Sequence, residues 1–172
     1  MTQGIAYIGL GSNLGESCDQ LHLAMDAIER LPGTRLLARS ALYRSAPVGY
    51  LDQPDFVNAV AKIVTTLTPQ ALLASLLQIE HQHGRERTFL NAPRTLDLDV
   101  LLYDDLRMHE HGLTIPHPQM HRRAFVLQPL LEIAPDCVIP DIGSAQQAMQ
   151  GCLAQTLEKL PEYGKQLSGM AL

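Results

Sequence analysis

Apolar and polar positions follow two different periods along this chain. Short apolar runs, rich in branched residues, predict buried strands at residues 5–10, 36–44, 56–66 and 96–103. Longer segments repeat apolar residues every three or four positions, which predicts helices at residues 16–31, 69–83, 123–132 and 145–160. Prolines, glycines and polar residues separate these segments and predict loops at residues 45–54 and 85–95 and a turn at 113–119.

The predicted elements occur in the order β-α-β-β-α-β-α-α. The second and third strands are adjacent along the chain and joined by a loop, which is typical of a hairpin. The order favours an α+β fold with a ferredoxin-like, antiparallel-rich sheet and helices packed on both faces, a three-layer αβα arrangement. We expect a single domain at residues 1–160 and a flexible C-terminal tail at residues 161–172, where the pattern fades.

The composition is that of a folded and mildly acidic protein. Hydrophobic residues make up 46% of the chain and the formal net charge is −5, so bulk attraction to nucleic acid or to a membrane surface is not expected. Three widely spaced cysteines without a CxxC pair argue against disulfides and structural zinc. The chain begins without a signal-peptide pattern and has no apolar run near the ~18 residues of a membrane span. We therefore expect a cytoplasmic setting. Separately, we expect the protein to be a monomer.

Positive charge is concentrated in one part of the chain. Six of the ten arginines and six of the seven histidines lie between residues 81 and 123. A cationic cluster in an acidic protein indicates a small anionic ligand, and the planar guanidinium group of arginine pairs well with phosphate oxygens. The alternative is solvated surface charge, which we expect for Arg122. The remaining candidates for phosphate contacts are Arg85, Arg87, Arg94 and Arg123.

Two acidic residues lie two positions apart in the last predicted strand. Asp97 and Asp99 project from the same face, because successive strand side chains alternate. Two carboxylates in an apolar strand repel each other and lose hydration, and a bound divalent cation removes both costs. Mg²⁺ takes one or two carboxylates together with substrate phosphates. The alternative is a strand with one wet face, or an ion pair between this strand and Arg94.

Prolines on both sides of His117 stiffen the backbone and would hold its imidazole in place. His117 could donate a hydrogen bond to a phosphate, or it could be a capping or packing residue. Histidines also lie two or four positions apart at residues 81–83, 109–111 and 117–121, which zinc ligands can do. Zinc is a minority interpretation, since no cysteine or HExxH pattern is nearby.

Two of the three phenylalanines, Phe56 and Phe125, are candidates for contact with a ring, although each could simply be a core residue. Asn58 points to the same face as Phe56, and an aromatic face beside an amide suits a flat heterocycle. Near the N-terminus, Gly9, Gly11 and Gly15 are spaced one residue too widely for a dinucleotide fingerprint. We assign these glycines to a tight strand-to-helix turn.

Several ordered motifs resemble one family. They begin with Gly11-Ser12-Asn13-Leu14-Gly15 and continue with residues 45–49, residues 52–58 and Glu80 through Arg85. They include the highly specific run Pro93-Arg94-Thr95-Leu96-Asp97-Leu98-Asp99, and they end with residues 116–118 and 123–125. From Ala6 to about Pro140, the chain resembles the 6-hydroxymethyl-7,8-dihydropterin pyrophosphokinases.

The resemblance implies a role for each matched position. Asp97 and Asp99 would hold two Mg²⁺ ions against the phosphates of ATP, the co-substrate. Arg85 and Arg94 would contact the transferring phosphates. The ATP contacts would come from Glu80, Arg94, Val100, Thr114, His117 and Arg123. The pterin contacts would come from Ser45, Ala46, Val48, Phe56, Asn58 and Phe125.

The implied reaction transfers pyrophosphate from ATP to the hydroxymethyl group of a reduced pterin, a step in folate biosynthesis. Loops near residues 45–54 and 85–94 would close over both substrates. Two rival interpretations remain open. A metal-dependent phosphohydrolase would need no pterin acceptor, and a non-catalytic nucleotide-binding or regulatory domain of the same fold would bind nucleotide without turnover.

Overall fold

A computed structural model of the protein describes residues 2–13, 17–45, 56–83 and 96–161. Its main sheet has six antiparallel strands, in the order β10-β3-β4-β1-β5, with β2 also pairing with β4. These strands are β1 (Gly4–Ser12), β2 (Thr34–Arg39), β3 (Tyr43–Ser45), β4 (Phe56–Thr65), β5 (Asp97–Tyr103) and β10 (Leu157–Lys159). The longest strands, β1 and β4, lie side by side in the middle, so residues on β1 face neighbours on both sides.

Four α-helices and two small hairpins complete the described part of the chain. The helices are α1 (Ser17–Glu29), α2 (Pro69–Gln82), α3 (Ala124–Ile133) and α4 (Ala145–Gln150), and a short 3-10 helix (Met120–Arg122) precedes α3. The hairpins join β6 (Met108–Glu110) to β7 (Leu113–Ile115) and β8 (Val138–Ile139) to β9 (Gly143–Ser144). Within this part, no helix is long and apolar enough to cross a membrane.

Apolar side chains bury themselves on both faces of the sheet. On one face, α1 and α2 pack their apolar stripes onto alternate residues of β1, β4 and β5, including Ile8, Ile63 and Leu98. On the other face, α3 and its neighbours cover Val60, Leu101 and Leu102. The sheet is therefore the middle layer of three, and the predicted ferredoxin-like α+β class with helices on both faces is confirmed.

The predicted second strand, residues 36–44, is two strands in the structure. The break lies at Ser40, whose backbone N–H donates to the Val60 carbonyl at 2.9 Å, while its hydroxyl accepts from the Val60 N–H at 2.9 Å. Because the Ser40 hydroxyl takes the place of a backbone carbonyl in the ladder, the chain can turn without leaving Val60 unpaired. Beyond the break, β3 pairs with β4 as the predicted hairpin, with Ser45 opposite Phe56.

The predicted final helix, residues 145–160, is wrong over most of its length. Helix α4 ends at Gln150, and residues 157–159 form β10 along the edge of β3 instead. The edge of β3 offers unpaired N–H and C=O groups, and pairing them outweighs the modest helical preference of this segment. The Leu160 N–H extends the pairing by donating to the Leu42 carbonyl at 2.8 Å.

The predicted turn at residues 113–119 begins as a strand, β7. The peptide between Ile115 and Pro116 is cis. Immediately after it, the His117 N–H donates to the Leu101 carbonyl at 2.9 Å. The hairpin of β6 and β7 is thereby tied to β5, and His117 lies beside the strand that carries Asp97 and Asp99.

Candidate active site

The two acidic residues of β5 lie on the α3 side of the sheet. They alternate with Leu98 and Val100, which are buried under α1 and α2. Asp97 is partly exposed and Asp99 is exposed. Glu80, a buried carboxylate on α2 with 3% exposure, accepts the Leu98 N–H at 2.6 Å. Glu80 thus fixes the backbone between the two aspartates from the opposite side of the strand.

Two glycines of β1 form the floor beside these aspartates. Gly9 pairs with Asp99 on one side and Val60 on the other, and Gly11 pairs with Asp97 and Asn58. Because neighbouring strands lie about 4.8 Å apart, the backbones of Asn58 and Asp97 lie roughly 10 Å apart across β1, and Gly11 adds no side chain between them. The Leu101 side chain lies close to Gly9. The assignment of Gly9 and Gly11 to a tight turn is wrong, since both lie inside the strand.

A polar and aromatic group borders the floor on the β3–β4 side. The Asn58 amide is 4% exposed, and its Nδ2 donates to Ser45 Oγ at 2.9 Å. Asn58 Oδ1 points over β1, where a Cβ atom on Gly11 would lie 3.1 Å from it. Phe56 is half-buried, directly opposite Ser45 in the ladder. Ser45, Phe56 and Asn58, which lie far apart in sequence from Asp97, therefore share one face with it.

The N-terminus of α3 contributes a cation and a second aromatic ring. The Arg123 guanidinium carbon lies 5.6 Å from the centre of the Phe125 ring, a cation–π distance. Arg123 precedes the first helical residue and has an extended backbone. Phe125 is half-buried and packs against the core beneath α3.

The His117 ring is held in one tautomer. Its Nδ1 accepts the Gln119 N–H at 3.1 Å, so the proton of the neutral ring lies on Nε2. Burial lowers the pKa of His117 below its ordinary value of 6.5, the charge of Asp99 acts to raise it, and that of Arg123 acts to lower it. At neutral pH, His117 is therefore an uncharged hydrogen-bond donor through Nε2.

A cavity of about 230 Å³ opens beside Asp99 at the edge of β5. It brings together three further predicted residues, namely Val100, Thr114 and His117. The rest of its wall comes from Pro118, which the sequence analysis gave only a stiffening role beside His117, and from three residues that it missed, Leu73, Gly112 and Leu113. The helical period of α2 could have pointed to Leu73, whereas the position of Gly112 depends on the hairpin of β6 and β7.

Some of the predicted site residues lie outside the described residues. These are Ala46, Val48, Arg85 and Arg94, together with Arg87 and most of the two predicted closing loops. Among the residues that the structure does describe, no three His, Cys, Asp or Glu side chains cluster closely enough to hold a metal ion between them. A cation at Asp97 and Asp99 would therefore need further ligands from a substrate or from water.

Comparison with known proteins agrees with the resemblance seen in the sequence. Residues 7–135 match the family model of 7,8-dihydro-6-hydroxymethylpterin-pyrophosphokinase. The chain is 47% identical to the 2-amino-4-hydroxy-6-hydroxymethyldihydropteridine pyrophosphokinase of Pseudomonas aeruginosa, over 90% of this chain and 96% of the relative. It is 52% identical to the enzyme of the same name from Haemophilus influenzae, over 79% of this chain and 85% of the relative.

A solved structure of similar fold is the Plasmodium falciparum HPPK-DHPS wild type with pterin and p-hydroxybenzoate. The TM-score is 0.69 at 15% identity, over 87% of this chain. The match spans only 42% of that longer chain, less than half its length, and at this identity it supports the fold alone. With the family match over residues 7–135 and the two bacterial relatives, this chain belongs to the 7,8-dihydro-6-hydroxymethylpterin-pyrophosphokinase family.

Proposed function

We propose that this protein transfers pyrophosphate from ATP to the hydroxymethyl group of 6-hydroxymethyl-7,8-dihydropterin. The products are the pterin diphosphate and AMP, and the reaction belongs to folate biosynthesis. One observation carries the proposal beyond the family match: a glycine floor separates an amide-and-aromatic group, Ser45, Phe56 and Asn58, from the carboxylates of Asp97 and Asp99. A flat heterocycle and a triphosphate could lie on this floor side by side.

ATP fits the side of the floor at the edge of β5. The cavity there would accept the nucleoside against Val100 and Thr114. His117 would donate from Nε2 to a phosphate oxygen, because its Nδ1 is already occupied by the Gln119 N–H. Arg123 and Arg94 would contact the phosphates through their guanidinium groups. Glu80 would act close to the nucleotide by fixing the backbone of β5.

The pterin fits the opposite side of the floor. Asn58 and Ser45 offer an amide and a hydroxyl for the hydrogen-bonding edge of the ring, and the backbone of Ala46 and Val48 would complete that edge. Phe56 and Phe125 would lie against the two faces of the ring, since aromatic faces stack on flat heterocycles.

The donor set on β5 suits magnesium. Asp97 and Asp99 provide hard oxygen ligands on one face of a strand, and phosphate oxygens would supply others. We propose that these residues hold two Mg²⁺ ions, which would neutralise charge on the triphosphate. The residues of the chain then position the reactants. The hydroxymethyl oxygen attacks the β-phosphorus in line, the bond between the β-phosphorus and the oxygen that bridges it to the α-phosphate breaks, and AMP leaves. Arg85 and Arg94 would spread the negative charge, and Asp97 would accept the hydroxyl proton.

The test measures AMP formation from ATP, with and without hydroxymethyl-dihydropterin. We expect AMP only when the pterin is present, and a loss of turnover of at least about a hundredfold in Asp97→Asn. Asp105→Asn is the matched control, because this exposed acid follows the same strand but lies away from the floor. Near-normal turnover in Asp97→Asn, with an unchanged melting temperature, would refute the metal assignment.

The same experiment separates the rival functions. A phosphohydrolase would release AMP or phosphate at the same rate without the pterin, and a purely binding domain would release neither. Calorimetry adds an independent measurement, in which reduced pterin is titrated into protein preloaded with a non-hydrolysable ATP analogue and Mg²⁺. Tight pterin binding only in the presence of nucleotide is the expected result.

A further inference from the structure

The segment after α4 is hydrogen-bonded to the backbone that leads into α3. Gln155 Oε1 accepts the Ala124 N–H at 2.9 Å, and Gln155 Nε2 donates to the Arg122 carbonyl at 2.9 Å. Cys152 Sγ lies 3.9 Å from the His121 carbonyl oxygen. All three contacts join positions about 30 residues apart in sequence, and the family match ends before Gln155.

The two bonds of Gln155 enclose Arg123. Arg123 has φ −123° and ψ 112°, the extended conformation. In an extended residue, the carbonyl before it and the N–H after it point to the same side, where a neighbouring strand would bond to both. The side-chain amide of Gln155 carries the matching acceptor and donor. It therefore pairs with Arg123 as one residue of a β-strand would.

This pairing replaces a missing helix cap. Arg123 makes no side-chain capping bond at the start of α3, and the first N–H groups of a helix have no partner within it. Gln155 satisfies one of them, that of Ala124. The N–H and carbonyl of Arg123 itself bond to Met120 and to Leu127. Water could satisfy the Ala124 N–H, but it would not tie the peptide groups on both sides of Arg123 to one side chain, as Gln155 does. The guanidinium group that this backbone carries lies over Phe125.

The same segment also reaches the other wall of the site. Two residues after Gln155, Leu157 pairs with Ser45 in the ladder between β10 and β3. Ser45 in turn accepts a hydrogen bond from Asn58. Residues 155–157 thus contact the chain beside Arg123 and the chain at Ser45, and hold the two walls in a fixed relation.

We propose that Gln155 is a positioning residue of the active site, which sets the direction of Arg123 and Phe125 through their backbone. The inference rests on the proposed function for the roles of these two residues. Gln155 touches no substrate in this scheme and acts only on the residues that bind substrate. Its loss should therefore raise KM more than it lowers kcat.

The test compares Gln155→Met, which keeps the length of the side chain and removes both bonds, with Gln146→Met. Gln146 is the matched control, because its Nε2 likewise donates to a backbone carbonyl at 2.9 Å, that of Pro135, which follows α3 instead of preceding it. We expect Gln155→Met to raise KM for ATP and for the pterin about five- to tenfold, with kcat within about threefold of the wild type. Gln146→Met should keep both KM values. Equal KM values in the two variants would overturn the proposal.

A second variant keeps the proposal testable if Gln155→Met folds poorly. In Gln155→Glu, the carboxylate still accepts the Ala124 N–H, but its second oxygen repels the Arg122 carbonyl oxygen. Protonation of the carboxylate gives an O–H group that can donate to that carbonyl again. The ratio of its KM to that of the wild type should therefore fall as the pH is lowered from about 8 to about 4.5, which is close to the ordinary glutamate pKa of about 4.3. A ratio that does not change with pH would contradict the pairing.

Failure of the inference can be told apart from failure of the proposed function. If the wild type forms no AMP with the pterin, the function fails. The Kd for a non-hydrolysable ATP analogue then reports on Arg123 without turnover, and Gln155→Met should raise it by the same five- to tenfold. An unchanged Kd would overturn the positioning role by itself.

Discussion

Gly11 is the residue at which the two halves of the candidate site come closest. It pairs with Asn58 on one side and Asp97 on the other. A Cβ atom there would lie 3.1 Å from Asn58 Oδ1, a tight contact with a polar side chain of the site, whereas a Cβ atom on Gly9 would lie 3.3 Å from the buried apolar side chain of Leu101. The two glycines look equivalent in sequence, but the structure gives them different neighbours.

We therefore predict that Gly11→Ala raises KM for the pterin about tenfold, because the methyl group pushes the Asn58 amide away from Ser45 Oγ. Gly151→Ala is the control, since Gly151 lies outside the site, has a φ of −77°, and would place a Cβ atom only against the Ala148 carbonyl oxygen, at 3.4 Å. Steady-state kinetics with varied pterin measures both variants. Equal KM values in the two variants would show that Asn58 does not depend on the glycine at position 11.

His117 lies between opposite charges, and its pKa should respond to each in a different direction. Arg123 acts to lower this pKa, so we predict that Arg123→Gln raises it. Asp99 acts to raise it, so Asp99→Asn should lower it further. An NMR titration of the His117 Cε1 proton measures both shifts. If both variants move the pKa in the same direction, the charges assigned to its surroundings are wrong.

Helix α3 is the element that joins the site to the rest of the fold. Its N-terminus carries Phe125 and follows Arg123, and its C-terminal end fastens β3 through Glu132. Glu132 accepts a hydrogen bond from the Tyr43 hydroxyl and another, at 3.0 Å, from the Ala41 N–H. Since Tyr43 lies two residues before Ser45, Glu132 joins α3, which carries Phe125, to the strand that carries Ser45.

Tyr43 gives this joint a measurable signature. Burial, and then the hydrogen bond and charge of Glu132, raise the pKa of Tyr43 above its ordinary value of 10.0. We predict that Tyr43→Phe lowers the free energy of unfolding by about 1–2 kcal/mol, because a hydrogen bond to a charged group is lost from a residue that is 4% exposed. Urea unfolding measures this change. A spectrophotometric titration should show that the variant has one tyrosine fewer that ionises above the ordinary pKa of 10.0.

Tyr103→Phe is the control for this prediction. It loses a hydroxyl that donates to the Leu67 carbonyl under the opposite face of the sheet, so its effect on stability should not be accompanied by a change in substrate binding. Unchanged stability in Tyr43→Phe would show that the bond between the Tyr43 hydroxyl and Glu132 contributes nothing to the joint.

Elements with a strong period were predictable from sequence, and elements defined by a distant partner were not. The buried stripe of α1 is visible in the chain itself, and so is the Thr68 cap of α2, whose hydroxyl accepts the Ala71 N–H at 3.1 Å. The strand β10 forms because the edge of β3 is close to it, which no local pattern reveals. The family motifs likewise name Arg123 and Asn58, whereas Gln155 acts through a backbone contact that leaves no mark in a motif.

The whole molecule is organised around one sheet that separates two apolar cores. The core under α1 and α2 supports β5 from behind, and the core under α3 lies on the same face as the candidate site. We propose that the described residues form a single cooperative domain, because β1, β4 and β5 contribute side chains to both cores. Substitutions in either core should then lower the stability of the whole protein, but only those under α3 should disturb the site directly.

Ile28→Ala and Leu127→Ala test this division. Both side chains are fully buried, Ile28 under α1 and Leu127 under α3. We predict that each variant loses about 2–5 kcal/mol of unfolding free energy, the usual effect of truncating a buried aliphatic side chain to alanine. Far-UV circular dichroism and tyrosine fluorescence should give coincident urea transitions, since the chain contains five tyrosines and no tryptophan.

The kinetic effects of these two variants should differ although their stabilities fall alike. Leu127→Ala loosens the helix that positions Phe125, so its KM for the pterin should rise, whereas Ile28→Ala lies at the end of α1 and should keep the wild-type value. Measuring both at a temperature where each is fully folded removes any contribution of unfolded protein. Separate transitions for the two probes would contradict a single domain. Equal KM values for the pterin in the two variants would mean that α3 keeps its position when Leu127 is truncated.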